Sequence, residues 1–326
     1  MEKVIRQKKR YENIDFMKGI CILLVVATHL DLPGFSYPCY SLFRMPMYYF
    51  LSGIFFSRYD SFNTFIVKKT NNLLIPYFFF SLFSVVVILL FYLHGERTFE
   101  EAVIDSGPLQ NGPIWFLVSL YEVGIMMYFI SGIQSRLLRF VVVISLSVAG
   151  YYLCQMKIIL PFYLNTALLG LFFYYIGLLL RKYQILDDDS YVPIKFMALL
   201  ALFLFVALII IPDRRLALIS YNIPFPYHWF IVAGMAGTLA LFYLSKMVQK
   251  VSLINYIGRY SIIVLGTHWF YVKSWKYILP YDTFSKWWCL YLVYFIAIAL
   301  SLLSIVLLKK YLPWFTAQKP LIRLPK

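Results

Sequence analysis

Apolar runs of about 20 residues recur from one end of this chain to the other, and that recurrence narrows its possible folds more than any motif does. Bounded by charges, prolines and glycines, the runs fall near residues 14–31, 39–57, 73–93, 113–132, 138–154, 161–180, 194–212, 226–245, 260–279 and 287–308. A helix rises about 1.5 Å per residue, so such a run covers the roughly 30 Å hydrocarbon layer of a bilayer. In lipid every backbone N–H and C=O must find its partner inside the segment, which leaves the helix as the economical solution. The expected fold is therefore all-α and integral to the membrane, a bundle of about ten transmembrane helices. With 62% hydrophobic and 14% charged residues among 326, the chain leaves no stretch for a soluble domain of ordinary size. No repeat, linker or low-complexity segment divides it, so residues 1–326 read as one membrane domain.

The net charge of +15 does not point to nucleic acid, because the basic residues sit in short clusters between the apolar runs rather than in one patch. Ten spans return the chain to the side on which it began. With an inside amino terminus, 21 of the 30 lysines and arginines fall at inside ends of the runs. Seven face outward (Arg97, Lys157, Arg214, Arg215, Lys273, Lys276 and Lys286), and Lys18 and Arg44 lie within runs. That bias places both termini in the cytoplasm. The basic residues 1–10 precede an apolar run that ends without an A-x-A-like cleavage site, so the first span is expected to stay in the mature protein. Cys21, Cys39, Cys154 and Cys289 lie in or beside apolar runs with neither CxxC spacing nor a histidine cluster, and are expected to act as small hydrophobes rather than as a redox or metal site.

Ionisable groups inside a span are costly, which makes each a functional candidate. The first span carries Asp15, Lys18 and His29 on one face. Lys18 and His29 are eleven residues apart, which at 100° per residue returns to within about 20° of the same direction and separates them by about 16 Å along the axis. A cation near the cytoplasmic end and an imidazole near the outer end suit a polar passage; a snorkelling lysine and an inert interfacial histidine suit the same spacing. Arg44 enters the second span from the outer side at a depth similar to that of His29, where a guanidinium can hold a carboxylate, a phosphate or an oxyanion, or anchor at the headgroups. Asp31, two residues past His29, points to a different side of the helix and is not cast as its orienting partner. His268 lies about half-way through the ninth span, whereas His94 and His228 sit at span ends and are expected to pack at the interface. Trp115 opens the fourth span on the outer side, placed either to stack on a sugar or to join an aromatic belt.

Taken in order, these segments resemble the acyltransferase family 3 of membrane proteins, which includes bacterial O-acetyltransferases of surface polysaccharides and fucose 4-O-acetylase-like enzymes. The resemblance covers nearly the whole chain. It is carried by the basic-x10-His pattern of Lys18 and His29, by Phe43-Arg44-Met45-Pro46 running into Phe50-Leu51-Ser52-Gly53, and by Leu73-Leu74-Ile75-Pro76-Tyr77 after Lys68-Lys69. Trp115-Phe116-Leu117 and the segment from Ile257-Gly258 through Ser261 to His268 add to it. The chain departs from the pattern at Asn72, where the family usually has a basic residue, and at Asn165, where it often has an aspartate.

The resemblance implies a stand-alone membrane O-acyltransferase of the bacterial cytoplasmic (inner) membrane, taking acetyl-CoA or another acyl-CoA from the cytoplasm and no metal. The acceptor would be a hydroxyl of a glycan or lipid-linked saccharide presented from the outer side. His29 would be the general base, since its free pKa lies near operating pH. Lys18, with Lys68 and Lys69, would attract the CoA phosphates, and Arg44 would position the acceptor or stabilise the oxyanion. His268 is the second catalytic candidate, and Asp15, Trp115, Asn165 and Ser261 are expected on the substrate path. Beyond substrates the implied partners are membrane lipids and no nucleic acid, with a homo-oligomer left open. The rival class is a transporter or polysaccharide-export component, whose buried charges line a path without covalent chemistry; the matching broken helices that such proteins carry are not visible here. An acyltransferase with a lipid or peptidoglycan acceptor is the other alternative.

Overall fold

A computed structural model describes residues 10–33, 38–93, 111–210, 223–248, 250–278 and 286–324. His94, Arg97, Arg214, Arg215, the basic residues before Arg10 and the expected span ends at 211–212 and 279 lie outside the described residues. Every regular element among the described residues is helical. In chain order these are α1 Glu12–His29, α2 Pro38–Ile54, α3 Phe62–Lys69, a π-helical turn at Thr70–Leu74 and α4 Ile75–Leu93. A 3-10 turn at Gly112–Ile114 leads into α5 Trp115–Ile130, followed by α6 Arg136–Gln155. A second 3-10 turn, Pro161–Tyr163, leads into α7 Leu164–Lys182, then come α8 Val192–Ile210 and α9 Tyr227–Val248. The short α10 Ser252–Arg259, α11 Ser261–Ile278 and α12 Trp287–Tyr311 complete the chain.

A long helix overlies each apolar run, and α5, α6, α7, α8, α9 and α12 are long and apolar enough to cross a membrane by length and composition. α1 falls short on composition because it carries Glu12, Asp15 and Lys18. The outer faces fit lipid: Leu208 on α8 is 81% exposed and Leu137 on α6 73%. Two elements, α3 and α10, had no counterpart among the expected spans. Both are eight residues long and end on basic residues, Lys68 and Lys69 in one and Arg259 in the other.

Without a hydrophobic drive between helices in lipid, small residues set how closely backbones approach. α2 is packed between α7 and α9. A Cβ at Gly53 would stand 1.9 Å from the Tyr174 carbonyl oxygen, and one at Gly177 2.0 Å from that of Phe50, so the α2–α7 crossing exists only because both are glycine. α1 meets α10 in the same manner, through Gly19 against Ile254 and Gly258 against Asp15. Behind α1, Ile22 and Val26 join Ile263, Val264 and Val293 in a second core shared with α11 and α12. The segment after α12 returns to the π-helical turn: Asn71 accepts from the Leu321 and Ile322 amides and donates to the Ile322 and Val67 carbonyls.

Candidate active site

α1, α2, α5 and the start of α11 enclose a cavity of about 350 Å³. Lys18 and His29 both line it, as the eleven-residue spacing on one helix face requires. Ser261, the first residue of α11, lines it with Lys18, and the Tyr48 hydroxyl, also on the wall, donates to the Lys18 carbonyl at 3.3 Å. Ile22, Val25, Phe116, Leu117 and Leu265 supply apolar wall, and Ser41 and Ser52 add hydroxyls from α2.

Arg44 reaches the cavity from α2 and is held to α1. Its Nη1 donates to the Thr28 hydroxyl at 2.6 Å and to the Leu24 carbonyl at 3.2 Å, and its Nε donates to the Tyr40 carbonyl at 3.2 Å. Thr28 is itself fixed, donating to the Leu24 carbonyl at 2.8 Å. Nη2 makes no hydrogen bond among the described residues, so the guanidinium is oriented by three bonds and keeps donors in reserve. That is an arrangement able to receive a developing negative charge without reorganising.

His29 is packed by two rings of α11. Its centroid lies 5.5 Å from that of His268 at an interplanar angle of 34°, and 4.9 Å from that of Trp269, edge-on at 83°. Trp269 also covers Gly112, where a Cβ would stand 3.4 Å from the indole. Beside it the Asn111 amide donates to the Gly266 carbonyl at 2.7 Å, so the entry to α5 and the middle of α11 are tied together next to His29.

Of the residues singled out in the sequence, the cavity brings together Lys18, His29, Arg44, Trp115 and Ser261, with His268 directly behind His29. It does not reach the others. Asp15 is turned to Arg10, whose Nε donates to it at 2.7 Å and whose second guanidinium contact is closer still. Lys68 lies 3.7 Å from the centroid of the Tyr59 ring. Lys69 points between α3 and α7, its ammonium 3.4 Å from the Tyr174 hydroxyl. Asn165 is wholly buried, donating to the Ile158 carbonyl at 2.7 Å and accepting from the Leu160 amide at 2.9 Å. It thereby closes the loop in which Phe162 and Tyr163 take positive φ of 57° and 68°, and Tyr163 packs on Trp115 at 5.6 Å.

Three features escaped the sequence reading. Thr28 precedes His29 inside the apolar run at 14–31, which hides it in the sequence, yet it helps orient Arg44. Tyr48, four residues past Arg44 on α2, has no mark in the sequence to single it out, yet its hydroxyl lies on the cavity wall against the Lys18 carbonyl. Glu122 on α5 has one carboxylate oxygen buried without a hydrogen-bond partner among the described residues. As the one charged residue of the fourth span it was detectable by the same rule that found Lys18 and Arg44.

A family model described as an acyltransferase domain matches residues 11–308. No curated protein and no solved structure matches the chain.

Proposed function

The chain belongs to acyltransferase family 3 and is a multi-pass membrane acyltransferase, and from that premise we propose that it moves an acetyl or similar acyl group from cytoplasmic acyl-CoA to a hydroxyl of a glycan or lipid-linked sugar. The observation that carries this reading is a single cavity of about 350 Å³ with Lys18 and Ser261 toward one end of α1 and His29 and Arg44 toward the other. That volume lies at the lower end of the range for small-molecule sites. It suits the thioester arm of the donor, with the nucleotide held at the cytoplasmic mouth.

In this mechanism His29 takes the proton of the acceptor hydroxyl while its oxygen attacks the thioester carbonyl. The new C–O bond leaves negative charge on the former carbonyl oxygen, which the Arg44 guanidinium stabilises. Collapse breaks the C–S bond, and the departing CoA thiolate takes the proton back from the His29 imidazolium. A positioned base contributes about 10²–10⁴ in rate and an oxyanion donor about 10²–10³. Lys18 holds donor phosphate as a point charge, Ser261 lines the same end, and Trp115, braced by Tyr163, offers a flat face to the acceptor ring.

The excess of basic residues at one set of helix ends supports cytoplasmic termini, with the donor entering beside Lys18, and the family resemblance is what suggests a bacterial cytoplasmic membrane. The test is to incubate the purified protein in nanodiscs with acetyl-labelled acetyl-CoA and a panel of glycans. Label in a glycan ester that resists neutral hydroxylamine and is released by alkaline hydroxylamine supports the proposal. Saccharide movement across a sealed vesicle with no ester formed on any acceptor would favour a transporter instead.

A further inference from the structure

His268 is fully buried, and its two ring nitrogens have unequal surroundings. Nδ1 lies 2.7 Å from the Val264 carbonyl oxygen, one turn back along α11. A carbonyl oxygen only accepts, so the proton of this imidazole sits on Nδ1, and Nε2 is left as a lone-pair acceptor. Nε2 is buried and has no hydrogen-bond partner among the described residues. Leaving such an atom unmatched carries the full cost of its desolvation, and a leucine or phenylalanine would fill the same space without that cost.

The polar ring next to it is His29, with centroids 5.5 Å apart. An imidazole nitrogen stands roughly 1 Å from its centroid, so two facing nitrogens would lie about 3.5 Å apart, and a small turn of the His29 ring brings an N–H into range of Nε2, a bond not formed in the arrangement described. Trp269 meets His29 edge-on and limits how far its ring can swing.

We propose that His268 is a positioning residue, whose unmatched Nε2 receives a hydrogen bond from the His29 ring when that ring turns toward it in the working site, and so fixes the tautomer and direction of the general base. The inference rests on the reading of His29 as that base. A base that offers one nitrogen to the acceptor hydroxyl carries its own N–H on the other. After taking the proton it carries two N–H groups, and Nε2 satisfies the one that faces away from the substrate. A carboxylate commonly fills this place behind a catalytic histidine. A neutral imidazole does the orienting part of that work without placing a second charge in the bilayer, where charge is most costly.

The experiment uses the full-length protein with acetyl-CoA and the acceptor found in the glycan panel. His268→Phe keeps a ring in the space and removes the acceptor atom. His268→Gln restores an amide that can donate to Val264 and accept from His29. The expected result is that the Phe variant loses kcat by about 10- to 100-fold, the usual cost of removing a histidine's outer partner. The apparent KM values for both substrates stay near those of the unmodified protein, and the Gln variant regains most of the lost rate. A Phe variant with unimpaired kcat would overturn the proposal, and so would equal losses in both variants accompanied by raised KM, which is the signature of disturbed packing. If the Phe variant does not accumulate in the membrane, the folded Gln variant decides alone: retention of activity within about tenfold supports the proposal and inactivity overturns it. His29→Ala measured alongside separates the two levels of argument. Full activity there defeats the base assignment, whereas an inactive His29→Ala beside an unimpaired His268→Phe defeats only the positioning role.

Discussion

Replacing Gly258 with alanine should damage both stability and donor use, because this glycine is where α10 rests on α1. A methyl carbon there would stand 1.8 Å from the Asp15 carbonyl oxygen and 2.6 Å from the Gly19 amide nitrogen. Both are backbone atoms, so no rotamer change relieves the clash. Reaching even 3.0 Å from the carbonyl requires α10 to retreat by about 1.2 Å. That retreat pulls on Asn255, whose amide donates to the Glu12 carbonyl at 3.1 Å and to its carboxylate at 2.8 Å. The Asn255 bond also holds the Glu12 carboxyl below its usual range, so Glu12 reports on the same contact. Overpacking of this kind costs about 1–3 kcal/mol, while alanine in place of glycine gains a helix about 1 kcal/mol at most, so the clash wins. Ser261 follows three residues later and lines the cavity beside Lys18, and a shift near 1 Å at a reacting site can cost about 100-fold. Thermal unfolding in detergent and saturation kinetics with acyl-CoA are the assays, with Gly112→Ala as the control because its Cβ would meet Trp269 at an ordinary 3.4 Å. The expected result for Gly258→Ala is a melting temperature lower by a few degrees and a reduced kcat/KM for acyl-CoA. Unchanged melting together with unchanged kinetics would refute the reasoning.

Lys18→Ala should raise the apparent KM for acyl-CoA about tenfold or more, the worth of one charged hydrogen bond to phosphate, and leave the acceptor KM alone; equal saturation curves for the donor would remove Lys18 from the donor site. Arg44→Lys cannot reproduce the bonds from Nη1 and Nε or the planar fork, so kcat should fall by about 10²–10³ in single-turnover transfer, and near-normal turnover would show that any cation suffices. For orientation, Asp60→Cys places a thiol on an exposed residue between α2 and α3, which an impermeant maleimide should label only after the cells are permeabilised; labelling of intact cells would invert the topology and the donor side with it.

The long helices were legible because a run of about 20 apolar residues is among the strongest signals a sequence carries. α3 and α10 were not, being too short and too basic for that window, and the π-helical turn between α3 and α4 has no sequence signature. The face shared by Lys18 and His29 followed from 100° arithmetic. The same arithmetic put Asp15 on that face but could not show that Arg10 would fold back onto it. Asn165 stood out as a departure from a family pattern, and in the structure its amide closes a neighbouring loop. The approach of His268 to His29 joins positions 239 residues apart, a relation set by how α11 packs on α1 and absent from any local pattern. Glu122 was missed by omission, since its charge in an apolar run was in plain view.

The central claim is that acyl transfer takes place in the cavity with His29 as the base, and the most direct test is the rate of label transfer from acetyl-CoA by His29→Ala in nanodiscs, matched to the unmodified protein for amount and melting temperature. The account predicts a fall of about 10²–10⁴ in kcat with the apparent KM for acetyl-CoA unchanged, since Lys18 and the donor end are untouched. Transfer at close to the unmodified rate by a folded His29→Ala would contradict it.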